Sequence, residues 1–146
     1  MTIVANHEKV SSPIKMRIFA VHNAVAAAVL AWVVEVHLFG VHLGIRFGTG
    51  TPTTLSLGQI IGVSLMASLL GWALLSFMER RVARAATLWT VAAIGVVLLS
   101  LALPLTATTS TAAMVGLIVM HLLVGAGSIP LMYRSTLATP VRRAQD

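Results

Sequence analysis

The sequence predicts an all-α protein, a four-transmembrane-helix bundle with N-terminus and C-terminus cytoplasmic. Of its 146 residues, 58% are hydrophobic and only 10% are charged, and the mean hydropathy is +0.94. Soluble domains carry about 25% charged residues. The charged side chains here are too few to cover a surface that faces water, so lipid must be the main solvent. One membrane domain over residues 1–146 fits this length.

The first helix is predicted over residues 13–41. Ser12 and Pro13 form a helix start, because Pro suits the first helical position and Ser caps free backbone amides. The apolar run begins after Arg17, and about 20 residues suffice to cross a hydrocarbon core of roughly 30 Å. Four polar residues interrupt it: His22, Asn23, Glu35 and His37.

Three further helices are predicted, at residues 57–78, 85–103 and 112–129. Ser56 and Gln59 have the spacing of a capping box, which favours a helix start there. Pro104 is expected to end the third helix, because proline lacks an amide and its ring clashes with the preceding turn. Pro130 is expected to end or kink the fourth helix.

The distribution of cations predicts the orientation. Nine of the ten Lys and Arg residues fall on one side of the predicted bundle. These nine are Lys9, Lys15, Arg17, Arg80, Arg81, Arg84, Arg134, Arg142 and Arg143. Only Arg46 lies on the other side, so the positive-inside rule places both termini in the cytoplasm, and we expect a multi-pass protein of the bacterial inner membrane.

The charge and composition also exclude several classes of function. The net charge of +6 does not predict a nucleic-acid partner, because the cations lie in short clusters at the edges of apolar runs. The expected partner is the lipid bilayer. No cysteine is present, and no phosphate loop, nucleophile elbow, dinucleotide fingerprint or zinc-protease motif is found. We therefore expect no cofactor.

Glu35 and His121 are the candidate catalytic residues. Glu35 is the only acidic residue inside an apolar span, and such residues tend to face a bundle interior and to mark function. His121 falls near the middle of the fourth helix. If the first and fourth helices are neighbours, the two side chains share a hydrogen-bonded or water-bridged site. The alternatives are a structural partnership of Glu35 with Arg46, or an interhelical hydrogen bond from His121.

Three more polar residues are candidate ligand contacts: Asn23, His37 and His42. The two histidines lie five residues apart, which separates them by about 140° on a helix, whereas metal pairs favour i and i+3 or i+4. No metal site is therefore predicted.

Small residues mark two helix faces. Ala24, Ala28, Ala31 and Glu35 follow one another at helical spacing, so Glu35 should point at another helix. In the second helix, Gly58 and Gly62 form a small-xxx-small pair. Such pairs allow close approach of helices in membranes, either within one bundle or in a homo-oligomer.

Three stretches carry a family resemblance: Phe39-Gly40-Val41-His42-Leu43; Ala67 to Arg81 with Trp89-Thr90-Val91; and Ser100 to Thr106 with Met120-His121-Leu122. Together they resemble an uncharacterised family of small four-helix integral membrane proteins, found mainly in actinobacteria and classed as a domain of unknown function. The resemblance implies the fold and no activity. The stretch Ala31 to Val36 is also similar to the glutamate region of small multidrug resistance exporters, which are shorter.

Three functions compete on these observations. The first is an acid/base enzyme of isomerase or cyclase type that acts on a lipophilic small molecule through Glu35 and His121. The second is a noncatalytic membrane scaffold or regulatory subunit. The third is a proton-linked small exporter that uses Glu35 as its exchanging group.

Overall fold

The computed structural model describes residues 12–138, and the observations below concern that range. The first helix, α1, ends in a π-helical turn, a short two-stranded hairpin follows, and four more helices complete the chain. The elements are α1 (Pro13–Val33), the π-helical turn (Val34–Leu38), β1 (Gly44–Ile45), β2 (Thr53–Thr54), α2 (Leu57–Arg81), α3 (Ala85–Ser100), α4 (Ala102–Ala107) and α5 (Thr111–Leu137).

Four helical stretches are long and apolar enough to cross a membrane, which confirms the predicted all-α four-helix bundle. The cytoplasmic side of both termini stays a prediction. The four stretches contain 26, 25, 23 and 27 residues. They cover Pro13–Leu38, Leu57–Arg81, Ala85–Ala107 and Thr111–Leu137. The chain is thus a multi-pass membrane protein.

Side-chain caps are formed at the start of α1 and of α2. Ser12 accepts a hydrogen bond from the amide of Lys15 at the start of α1, with Pro13 in the first helical turn. Ser56 and Gln59 form both hydrogen bonds of a capping box at the start of α2. Each cap satisfies backbone amides that have no partner within the helix.

Two proline positions differ from the sequence prediction. α3 ends at Ser100, before Pro104, and Pro104 lies inside the short helix α4. Pro104 lies in the first turn of α4, where a backbone amide would have no partner within the helix. The lack of an amide in proline therefore removes no hydrogen bond there. α5 continues through Pro130 to Leu137, although an end at residue 129 was predicted. The turns after Pro130 bury Met132 and Ser135, and this packing offsets the lost hydrogen bond.

The spans form a ring in which each packs against two neighbours. α1 packs against α2 and most extensively against α5, and α3 contacts both α2 and α5. One apolar cluster includes Ala28, Leu43 and Leu117, and a second includes Ala20, Leu75 and Trp89. The first cluster lies toward the end of the bundle that carries the β-hairpin, called here the hairpin end. The other end, where α1 begins and α5 finishes, is called the terminal end.

Candidate functional site

Glu35 lies in the π-helical turn that closes the first span. Its side chain is buried, with only 8% of the residue exposed. A π-helical turn inserts an extra residue into the helical repeat, and such turns are frequent at functional sites. The three alanines that precede Glu35 on this face, Ala24, Ala28 and Ala31, are buried as well. The expectation that Glu35 turns inward with this face is therefore met.

Gly116 on α5 is the residue that the Glu35 carboxyl group touches. A Cβ atom added at Gly116 would lie 2.9 Å from Oε2 and 3.0 Å from Cδ of Glu35. These separations are too short for an undisturbed contact, so a side chain at position 116 would displace the carboxyl group. The absence of a Cβ at Gly116 makes room for it between α1 and α5.

The carboxyl group is not neutralised by a neighbouring cation. Its Oε2 atom is buried and has no hydrogen-bond partner. The single ion pair within residues 12–138 joins Arg17 to Glu79, so Glu35 forms none with Arg46. Leaving a charge unpaired in an apolar interior is costly, and the neutral form avoids that cost. Within the described residues, Glu35 is therefore a buried carboxyl group without an ion-pair partner.

His121 lies on α5 but on a different part of its circumference. It is five residues beyond Gly116, which corresponds to a rotation of about 140°. Its Nδ1 is 2.6 Å from the carbonyl oxygen of Leu117. No direct hydrogen bond joins it to Glu35 in the described residues, so a shared site needs a ligand or water between them. That shared site stays a prediction.

The three predicted ligand contacts are dispersed. His37 is exposed and meets the Trp32 ring edge-on, with centroids 5.2 Å apart. His42 is exposed in the loop before β1. Asn23 is half-buried toward the terminal end, where its side-chain amide packs closely against Gly127 of α5.

No three of the His, Asp and Glu side chains in residues 12–138 come together as a metal site. Neither of two surface depressions on the described residues is lined by Glu35 or His121. One, of about 330 Å³, lies at the hairpin end beside Arg46 and Thr108. The other, of about 440 Å³, lies on the outward face of α2 and includes Gly62.

Arg17 forms a buried polar network that the sequence reasoning missed. Its position before the first apolar run predicts only membrane orientation, yet Arg17 is 7% exposed. Its Nη2 donates to Glu79 at 2.5 Å, and its Nη1 donates to Ser76 at 3.2 Å, both on α2. Its Nε donates to Ser135 on α5 at 3.1 Å. One guanidinium group thus fastens three helices at the terminal end.

The sequence did contain a signal for this network. Arg17 and Glu79 carry opposite charges, and both lie at the predicted cytoplasmic edge of adjacent helices. Because α1 begins where α2 finishes, the two charges fall at the same depth. An up-and-down bundle therefore brings them within reach of each other.

A protein-family comparison places the whole described region in one family. The model described as a family of unknown function, DUF6069, matches residues 8–138. The chain belongs to this family. Neither the search of curated proteins nor that of solved structures gave a match. Membership of DUF6069 agrees with the predicted resemblance to a domain of unknown function, and it assigns no activity.

The predicted small-residue pair of this DUF6069 protein has no neighbour. Cβ atoms added at Gly58 and Gly62 would meet nothing within 4 Å. The close helix contacts instead use three glycines of α5, namely Gly116, Gly125 and Gly127. A Cβ atom added at Gly125, for example, would lie 3.0 Å from Val97. The pair on α2 therefore does not pack within the bundle, and its use in a homo-oligomer stays a prediction.

Proposed function

We propose that this chain is a proton-linked transport protein of the bacterial inner membrane, in which Glu35 is the exchanging group. The observation that carries the proposal is the buried Oε2 atom of Glu35, which has no hydrogen-bond partner inside an apolar span. A carboxyl group in this position can bind and release one proton, and each form favours different surroundings. A group of this kind couples proton movement to a rearrangement of the helices around it.

The position of Glu35 supports this role over a purely structural one. Structural carboxylates in apolar interiors are normally paired with a cation or held by several hydrogen bonds. Glu79, an exposed residue at the end of α2, is paired in this way, because its carboxylate binds the Arg17 guanidinium. The carboxyl group of Glu35 instead packs against Gly116 and Leu43 at the junction of α1, α5 and the loop before β1.

Dicyclohexylcarbodiimide provides the first test, because it reacts with protonated carboxyl groups in apolar surroundings. We expect the purified protein in mild detergent to gain one adduct by intact mass, on Glu35 by peptide mapping. Glu35→Gln should abolish the adduct. Glu79→Gln is the matched control and should leave it unchanged. An adduct that persists in Glu35→Gln would contradict the assignment.

Proton flux provides the second test. Proteoliposomes that contain a trapped pH-sensitive dye are placed under an imposed pH gradient. The native chain should dissipate the gradient faster than empty vesicles do, and Glu35→Gln should remove the difference. If the native chain and Glu35→Gln behave alike, proton exchange at Glu35 fails, and a noncatalytic scaffold or regulatory subunit is the better account.

An acid/base enzyme is the second candidate, and the hydrogen bond of His121 favours it. A carbonyl oxygen can only accept, so the contact to Leu117 requires a proton on Nδ1, and in a neutral imidazole this is the only ring proton. The other nitrogen, Nε2, is then left as a base. This candidate requires a lipophilic small molecule that bridges His121 and Glu35. Loss of turnover in His121→Gln, with proton flux intact, would favour it over transport.

A further inference from the structure

A small lid closes the hairpin end of the bundle above Glu35. It consists of the β1–β2 hairpin, residues 44–54, and the segment 107–109. β1 pairs with β2 in antiparallel register, Gly44 with Thr54, and Ile45 also bridges to Thr108. The amide of Arg46 donates to Ala107 at 2.6 Å, and the amide of Thr109 donates to Gly44 at 3.0 Å. The lid thus joins the loop after the first span to the loop before α5.

Leu43 lies next to both the lid and the Glu35 carboxyl group. It is 0% exposed, and its carbonyl oxygen accepts a hydrogen bond from the amide of Leu55, 2.9 Å long. A Cβ atom added at Gly116 would lie 3.3 Å from its Cδ2 and 3.0 Å from Cδ of Glu35. Leu43 and the Glu35 carboxyl group therefore both pack against α5 at Gly116.

The two ends of the bundle are held by bonds of different strength. At the terminal end the Arg17 guanidinium joins α1, α2 and α5, and opening there would break a largely buried ion pair. At the hairpin end the lid has strands of two residues each, and isolated hairpins of this kind are marginally stable. Local opening therefore costs least at the hairpin end.

We propose that the lid and Leu43 form a gate through which Glu35 exchanges protons with the water at the hairpin end, and that this structure shows the gate closed. The inference rests on the proposed proton-binding role of Glu35 and specifies which side it communicates with. Displacement of Leu43 opens the route, and the terminal end stays fastened by Arg17.

The absence of cysteine from the sequence allows a clean accessibility test. A single cysteine at the site, Glu35→Cys, is treated with a charged, membrane-impermeant thiol reagent in detergent, so that both ends are reached. Adding Leu43→Ala should raise the labelling rate about tenfold, because the closed lid loses buried apolar contacts. Adding Ser76→Ala, which loosens the terminal end, should leave the rate unchanged. Equal rates with and without Leu43→Ala would overturn the gate.

A disulfide lock tests the gate with Glu35 in place, and it does not depend on how Leu43→Ala folds. A Cβ atom on Gly44 would lie 3.4 Å from the Cβ of Thr109, close to the Cβ separation of a disulfide, and the φ of Gly44 is not positive. In the oxidised Gly44→Cys/Thr109→Cys variant, the reaction of Glu35 with a water-soluble carbodiimide should fall by about nine-tenths. This corresponds to tenfold protection by the closed lid. Reduction should restore the reaction, and unchanged labelling after oxidation would overturn the gate.

These results separate the gate from the proton-binding role. If dicyclohexylcarbodiimide, which enters through lipid, labels Glu35 while the lock has no effect on the water-soluble reagent, the gate fails and the role of Glu35 stands. If flux and lipophilic labelling do not depend on Glu35, the role fails, while the cysteine at position 35 still reports whether the lid closes that space.

Discussion

The carboxyl group of Glu35 occupies the space that a side chain at Gly116 would take, although 81 positions separate the two residues in the chain. This arrangement places an acidic group at the seam of the two helices that pack most extensively against each other, α1 and α5. It also makes the site sensitive to a single methyl group.

Gly116→Ala is expected to destabilise the protein by about 1–3 kcal/mol, because the new Cβ overlaps the Glu35 carboxyl group. Unfolding of the purified protein in mild detergent measures the change. Gly62→Ala is the matched control, since its Cβ meets nothing within 4 Å, and alanine there should be neutral or slightly stabilising. The double variant Gly116→Ala/Glu35→Ala should regain part of the loss. Additive losses would show that the two residues are not in contact.

Arg17→Met is expected to cost about 3 kcal/mol of folding stability, because it leaves the Glu79 carboxylate without its partner and removes hydrogen bonds to α2 and α5. The same unfolding measurement applies. Arg80→Met removes an exposed cation and should change stability by less than about 1 kcal/mol. The pair Arg17→Met/Glu79→Met should be less destabilised than Arg17→Met alone, and a larger loss would contradict the ion pair.

Trp89→Phe is expected to lower folding stability by about 1 kcal/mol, because it removes one hydrogen bond. This bond runs from the indole nitrogen to the Gly71 carbonyl and is 2.8 Å long. The bond joins α3 to α2 where Trp89 is only 4% exposed. Trp72→Phe serves as the comparison, because Trp72 packs against the same apolar cluster as a partly buried residue. Stability losses that are equal for the two variants would mean that ring packing, and not the hydrogen bond, accounts for the effect at Trp89.

The predicted orientation is tested by single cysteines in the otherwise cysteine-free chain. In intact cells an impermeant thiol reagent should label Gly50→Cys, in the exposed turn of the hairpin. It should label Ala83→Cys, in the exposed connection between α2 and α3, only after the membrane is broken. The reverse pattern would place both termini outside and would contradict the interpretation of the nine clustered cations.

The sequence was most informative about features that depend on neighbours along the chain. Four long apolar runs predicted the spans, and Ser56 with Gln59 predicted the start of α2, because caps and transmembrane length are local properties. The ends at Pro104 and Pro130 were less predictable. Whether a helix stops at proline depends on the packing of the residues beyond it, and Ser135 and Met132 are held by contacts with other helices.

By itself, the sequence determined that this is a four-span membrane protein and that Glu35 lies on an alanine face directed at another helix. Only the tertiary structure decided which residues face Glu35. It brought Gly116 against the carboxyl group, turned His121 to another part of α5, and joined Arg17 to Glu79. Which surfaces of two distant helices meet depends on the packing of many small residues at once. Such packing leaves no periodic signal in a single sequence.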